Sequence, residues 1–256
     1  MKKARKKALV CFITAGHPGL KQTLDLVLSM EEAGADIVEL GVPFSDPLAD
    51  GAVIQESSRK AIEAGTTLLK IINLVSEIRK RSRVPVVLMG YYNVFHAFGI
   101  SAFPARAAAA GVDGLIIPDL PPEEAGDLKE GAGKNGLDTI FLAAPTSTEE
   151  RIRLIARAST GFIYYVSVTG VTGARRSMSR DIGGMVGKIK KHTDKPVVVG
   201  FGISKPDQAG NVARHADGVV VGSAIVRLID ESGRGPALAR KVGKFVSSLR
   251  KGIDRG

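Results

Sequence analysis

The chain has 256 residues, 44% hydrophobic and 24% charged, enough for one large domain with a filled core. Its 36 basic and 26 acidic residues leave a net charge of +10, yet only 5% of residues are aromatic. With no RNA motif or recognition-helix pattern, this excess reads as a solvated basic surface suited to an anionic substrate in preference to a nucleic-acid site.

The opening Met1-Lys2-Lys3-Ala4-Arg5-Lys6-Lys7 is basic, but the apolar stretch to Ala15 holds β-formers and leads into more folded sequence. It reads as a first strand and not a signal peptide. Cys11, the single cysteine, lies inside that strand as a small buried residue, so no intrachain disulfide forms and the expected compartment is the cytoplasm. No apolar run reaches the roughly 18 residues that cross a bilayer. From there β-branched runs alternate with helical patterns. Strands are predicted at Leu9–Thr14, Asp36–Leu40, Pro85–Met89, Gly114–Ile117, Thr139–Ala143, Phe162–Val166, Pro196–Gly200 and Gly218–Val221. Helices are predicted at Leu20–Ala33, Val53–Glu63, Leu68–Arg81, Pro122–Lys134, Glu149–Ala158, Ile182–His192 and Pro206–Arg214. A short echo, Ala33-Gly34-Ala35-Asp36, Ala110-Gly111-Val112-Asp113 and His215-Ala216-Asp217-Gly218, marks three passages from helix to strand. Eight such units in roughly 250 residues, with no linker between them, predict one α/β domain over residues 1–256, a closed (β/α)₈ TIM barrel.

In a barrel the strands' C-terminal ends carry the active site. Alternation on the second strand turns Ile37 and Glu39 inward and Val38 and Leu40 toward the helices. A carboxyl in that apolar mouth has its pKa raised by desolvation, which suits a group that both gives and takes protons near neutrality. Asp50 closes the stiff loop Gly41–Gly51, between Pro43 and Pro47 on one side and a helical pattern on the other. It is either a second catalytic acid or a helix cap. Glu39 likewise has the alternative of being satisfied by local hydrogen bonds.

After the seventh and eighth strands come Gly200-Phe201-Gly202-Ile203-Ser204 and Val221-Gly222-Ser223-Ala224-Ile225, and Gly170-Val171-Thr172-Gly173 follows the sixth. Glycine amides at these strand ends, with the Ser223 hydroxyl, form a candidate phosphate cradle. No lysine lies on a predicted strand to form a Schiff base, and the four histidines (His17, His96, His192, His215) share no ligand spacing. His17 follows the first strand and reads as a surface or turn histidine. No Gly-x-Gly-x-x-Gly loop follows a strand. The chemistry expected is acid–base work on a phosphorylated substrate, with no metal and no cofactor.

Glu39-Leu40-Gly41-Val42-Pro43-Phe44-Ser45-Asp46-Pro47-Leu48-Ala49-Asp50-Gly51 resembles the signature of the tryptophan synthase alpha chain family. Thr14–Pro18, Tyr91-Tyr92-Asn93-Val94-Phe95, Pro118-Asp119-Leu120-Pro121, Gly170–Gly173 and Gly200–Ser204 join it, in order, over Leu9 to about Leu249. The resemblance implies a barrel lyase that cleaves indole-3-glycerol phosphate into indole and glyceraldehyde 3-phosphate. Indole then passes through a tunnel to a pyridoxal-phosphate-dependent beta chain in an alpha2beta2 complex. It also implies that Glu39 is the general acid–base at indole C3 and that Asp50 stabilises and removes the N1 proton. Tyr164 then lies near Glu39 and Phe12 helps hold the indole ring. Gly173, Gly202, Gly222 and Ser223 cradle the phosphate, and Thr172 orders Asp50 from the lid. Asp46, Pro47, Asn93 and Pro121 fall on the surface that docks the beta chain, with Asp46 available to a partner lysine.

Three departures from the family pattern stand out. Only about eight residues precede the first strand, which predicts a barrel bottom less covered than usual. Ala52 stands where proline is usual, and Val168 where arginine is frequent. A non-catalytic activator of a beta chain and a sugar-phosphate isomerase barrel are the alternatives. Retention of both acids disfavours the first, and the Gly41–Gly51 loop the second.

Overall fold

The ring of strands closes through the chain itself. In the computed structural model, which describes residues 6–167, 175–200 and 202–256 and only the backbone of 175–181, the strands are β1 (Ala8–Thr14), β2 (Ile37–Gly41), β3 (Val86–Met89), β4 (Gly114–Ile116), β5 (Asp138–Ile140), β6 (Leu142–Ala143), β7 (Ile163–Val166), β8 (Val197–Gly200) and β9 (Gly218–Val221). They form one parallel sheet in the order β5-β4-β3-β2-β1-β9-β8-β7-β6. Its two ends, β5 and β6, are halves of the predicted strand Thr139–Ala143, parted at Phe141. The Tyr164 amide of β7 donates to the carbonyl of Phe141, the residue at this junction, at 3.2 Å. The barrel thus has the eight expected staves, one of them broken.

Every residue of β1 and β2 is buried. Parallel strands covered on both faces carry nearly continuous apolar sequence, and Leu9–Ile13 is such a run. One side chain from each stave fills the barrel: Val10, Ile37, Val87, Ile116, Ile140, Tyr164, Val198 and Val220, with Phe162 below. The opposite faces, including Cys11, Val38, Leu40 and Leu88, meet the helices in one large outer core.

The helices are α1 (Leu20–Glu32), α2 (Ala52–Glu63), α3 (Leu68–Arg79), α4 (Tyr92–Phe98), α5 (Phe103–Ala110), α6 (Gly126–Lys134), α7 (Glu149–Ala158), α8 (Arg175–Lys190), α9 (Pro206–Ala213), α10 (Ser223–Ser232) and α11 (Leu238–Arg255). Local chemistry sets several boundaries. The Thr67 and Thr148 hydroxyls accept from Lys70 and Arg151 amides to cap α3 and α7. Glu149 and Glu150 occupy the first turn of α7 and Arg157 the last, each sign matching the helix dipole. Two predicted boundaries are off by more than two residues. Pro122 does not begin α6, because residues 121–124 make a turn closed by the Glu124 amide on the Pro121 carbonyl at 3.0 Å. The helix α8 begins at Arg175, well before Ile182, over a polar stretch of sequence with little apolar periodicity.

The helix-to-strand echo has a physical cause. Asp36, Asp113 and Asp217 each accept an amide from the first two residues of a neighbouring strand, from Leu9, Val86 and Val197 at 2.8, 2.7 and 2.8 Å. Each carboxylate is also paired with a cation on a surrounding helix: Arg250, Arg79 and Lys190 respectively. These ties staple the N-terminal ends of the staves to the helical layer. Arg250 also donates to the Lys7 carbonyl at 2.8 Å, so α11 holds the bottom of β1.

Candidate active site

Glu39 is placed by register. It lies opposite Phe12 on β1 and Val87 on β3, one inward step above Ile37 of the barrel filling. Its side chain is 0% exposed, and neither carboxylate oxygen has a hydrogen-bond partner. Local satisfaction, the bland alternative, therefore does not apply. Burial pushes the carboxyl up to about 8, against an ordinary 4.5.

Tyr164 rises from β7 toward the same space. Burial raises its phenol well above the usual value, and the charges of Glu39 and then Asp50 raise it further, so both acids lie within electrostatic reach. Its ring has room only because the next stave ends in glycine. A Cβ on Gly200 would lie 2.5 Å from the Tyr164 hydroxyl. Phe12 has the same relation to Gly41, where a Cβ would come within 2.5 Å of the ring. Phe12 packs with Ile54, Val226 and the partly buried Met89, an apolar wall beside Glu39.

Asp50 approaches from the loop after β2. Its helix-cap reading fails: Gly51 occupies the N-cap of α2, and no side chain caps it. Ala52 is the first helical residue, a position that accepts proline or alanine without loss of a backbone bond. Asp50 is half-buried, and burial raises its pKa while a hydrogen bond from Tyr91 opposes the rise. The Tyr91 hydroxyl donates to Asp50 Oδ2 at 3.2 Å and accepts the Ala49 amide at 2.9 Å. In the sequence Tyr91 is part of the motif Tyr91–Phe95 and carries no assigned role. Its signal, an aromatic hydroxyl just past a strand end, is too common to single out.

On the other side of the mouth, Gly202 follows β8 with φ of 74°, and Gly222 is the N-cap of α10, whose first residue is Ser223. The Ser223 side chain is exposed. Amides in a helix's first turn have no intrahelical acceptor, so Ser223 and its neighbours present donors to an anion. Gly222 sits against Phe12, where a Cβ would be 3.3 Å from that side chain's Cβ, so the donor cluster and the apolar wall adjoin. Thr172 and Gly173, with the rest of Gly170–Gly173, Val168 and Phe201, lie outside the described residues.

His17 is not a surface residue. It occupies the predicted turn but is only 4% exposed, with Nε2 3.5 Å from Asp230 Oδ1 and burial lowering its pKa. The expected docking positions are open to solvent. Asp46 and Asn93 are exposed, Pro47 and Pro121 partly so, and Leu48 between the two loop acids is 93% exposed.

The family model for the tryptophan synthase alpha chain matches residues 1–252. A tryptophan synthase alpha chain from Geotalea uraniireducens is 56% identical over 251 residues, covering 98% of this chain and 94% of its own. The crystal structure of tryptophan synthase subunit alpha from Legionella pneumophila superposes with a TM-score of 0.91 at 37% identity, covering 100% of this chain and 95% of that one. A chain of the tryptophan synthase complex from Pyrococcus furiosus superposes at 0.86 with 38% identity, covering 95% and 98%.

Proposed function

The chain belongs to the tryptophan synthase alpha chain family, and from that premise we propose that Glu39 and Asp50 divide the proton transfers of its reaction. The reaction is the lyase step of tryptophan biosynthesis: retro-aldol cleavage of indole-3-glycerol phosphate to indole and glyceraldehyde 3-phosphate, with indole channelled to the beta subunit. The bond to be broken joins indole C3 to the glycerol phosphate. Indole leaves only after C3 is protonated, because the resulting indolenine accepts the electron pair of the breaking bond.

Glu39, protonated near neutral pH, gives its proton to C3 and returns as the base that takes the proton of the adjacent side-chain hydroxyl. That hydroxyl becomes the aldehyde as the C–C bond breaks, and its electron pair restores the aromatic ring. Asp50, as the carboxylate, stabilises the N1–H as C3 is protonated, takes its proton at the indolenine stage, and returns it to N1 as the C–C bond breaks, so that indole leaves with its N–H. Phe12 and Tyr164 hold the ring, and Gly202, Gly222, Ser223 and Gly173 hold the phosphate, while Thr172 orders Asp50. None of these roles calls for a metal or cofactor on this chain. The observation that carries the reading is the fully buried, unpartnered carboxyl of Glu39 at the inner rim of β2. Indole release from indole-3-glycerol phosphate by the purified chain, alone and with a beta chain, tests it. A chain silent in both assays is a non-catalytic partner.

The beta chain docks, in this reading, on Asp46, Pro47, Asn93 and Pro121 in an alpha2beta2 assembly. The match to a chain of a tryptophan synthase complex supports a beta partner. Among the described residues no helix is long and apolar enough to cross a membrane, and we place the enzyme in the cytoplasm without a nucleic-acid partner. Docking presses on the loop that carries Asp50, so binding alters catalysis. The isolated chain is expected to be a monomer with weak activity, raised at least about tenfold by the beta chain, roughly 1.4 kcal/mol. Asp46→Ala should reduce that activation more than it reduces the isolated rate. Equal losses in the two assays would remove Asp46 from the coupling.

A further inference from the structure

We propose that Tyr91 is the positioning residue through which the partner-facing surface holds the Asp50 carboxylate in place; this rests on the proposed role of Asp50. The hydroxyl of Tyr91 bridges two consecutive groups of one loop, accepting from the Ala49 amide and donating to Asp50 Oδ2. Its ring stacks on Phe44 of the same loop, centroids 5.2 Å apart at 28°. Three contacts thus tie residues 44–50 to one side chain. Only the terminal hydroxyl touches the acid, and it touches the Oδ2 atom whose orientation a proton transfer depends on.

The other end of this connection faces outward. Tyr91 is the N-cap residue of α4, and the next amide, that of Tyr92, donates to Asp119 Oδ1 at 2.9 Å. Asn93 is exposed on the first turn of α4, and Asp119 leads into Leu120 and Pro121. Any body that presses on Asn93 and the 119–121 loop therefore bears on the base of Tyr91. Phenol rings are stiff, with two rotatable bonds, so a shift of that base moves the hydroxyl and with it Asp50. A structural role alone would fix the fold of the loop. The hydroxyl's hydrogen bond does something more specific, since it favours the ionised carboxylate.

Among the described residues, Tyr91 approaches the Asp50 carboxylate from the start of α4, the Gln55 side-chain amide of α2 donates to the Asp50 carbonyl, and Tyr164 in the barrel lies within electrostatic reach of both Asp50 and Glu39. Removing the Tyr91 hydroxyl leaves burial unopposed, so the Asp50 pKa rises further and the base form is lost at higher pH on acidification.

Tyr91→Phe retains the ring and its stack on Phe44. It should lower kcat by about 10- to 100-fold, as loss of a hydrogen bond to a charged group does, with KM changing by less than about threefold. The acid limb of kcat against pH should move upward, and the fold-activation by the beta chain should shrink. Asp119→Ala, at a site near the protein surface, should loosen α4 and move both readouts the same way by less, which keeps the idea testable if Tyr91→Phe folds poorly. A wild-type acid limb together with undiminished activation in both variants overturns the proposal. Asp50→Asn is run beside them. Its retention of turnover would remove the role of Asp50 itself, whereas its collapse beside a silent Tyr91→Phe overturns only the role of Tyr91.

Discussion

Glu39→Gln is expected to lower turnover by about 10²–10⁴-fold, the usual contribution of a general acid–base group, and at the same time to raise the melting temperature at pH 8. The two effects share one cause. A glutamine side chain would fill the same space and keep polarity but could not move a proton, so a substrate analogue should still bind while chemistry stops. The stability gain follows from linkage. A free Glu ionises near 4.5, whereas in the folded chain Glu39 holds its proton up to about 8 because burial penalises the charge. Below the lower value both states are protonated and the residue has no pH-dependent effect. Between the two, the unfolded state releases its proton and the folded state does not, so stability falls as pH rises through this window. Above about 8 the penalty is constant. The Glu39→Gln variant lacks the titration, so its melting advantage over wild type should be small at pH 5 and grow toward pH 8. Near-normal turnover by the folded variant would sink the catalytic assignment. A melting difference that does not change with pH would show instead that Glu39 finds a partner in solution.

How much of this could be read from residues alone differs by layer. The barrel was legible because parallel strands buried on both faces write themselves as apolar runs, and because the Gly/Ala–Asp passages recur. The recurrence is chemical, with Asp36, Asp113 and Asp217 all serving neighbouring strands' amides and helix cations. The break at Phe141 was not legible, since the run Thr139–Ala143 is apolar almost throughout and a split leaves no compositional mark. The polar first turns of α8 were missed for the opposite reason: backbone bonding continues the helix where apolar periodicity does not. Alternation placed Glu39 inward, but only the structure shows it unpartnered. His17 illustrates the limit of residue-type priors. Its burial comes from α2 and α10 closing over a turn, a contact between segments about 40 and 210 residues apart in sequence that no local pattern records. Tyr91 escaped for a related reason, because its partners at Ala49 and Asp50 lie about 40 residues away.

Gly202→Asp should raise KM for the phosphorylated substrate by more than about 100-fold while the barrel persists. Two physical effects converge on this position. Gly202 has φ of 74°, in the left-handed region where a side chain costs on the order of 1 kcal/mol, a strain that an exposed loop can absorb without unfolding the domain. The larger effect is electrostatic. Gly202 and the first turn of α10 at Gly222–Ser223 follow adjacent staves, where amide donors are proposed to converge on a dianion. A carboxylate introduced about 4 Å from it costs roughly 4 kcal/mol per charge pair at an effective dielectric near 20. That exceeds the about 2.7 kcal/mol behind a 100-fold change, so charge and not strain should dominate. Gly202→Ala separates the two, since it carries the strain without the charge and should cost about tenfold or less. The same ordering should appear in competition by glycerol phosphate, which lacks the indole ring and reports the cradle alone. Its inhibition should be strong in wild type, weaker in Gly202→Ala and absent in Gly202→Asp. Salt sharpens the test, because screening of a solvent-accessible charge pair grows as the Debye length falls from about 10 Å at 0.1 M to about 3 Å at 1 M. The Gly202→Asp defect should therefore lessen at high ionic strength, and the Gly202→Ala defect should not. Equal KM values in Gly202→Asp and wild type, with melting curves unchanged, would place the phosphate elsewhere on the barrel mouth.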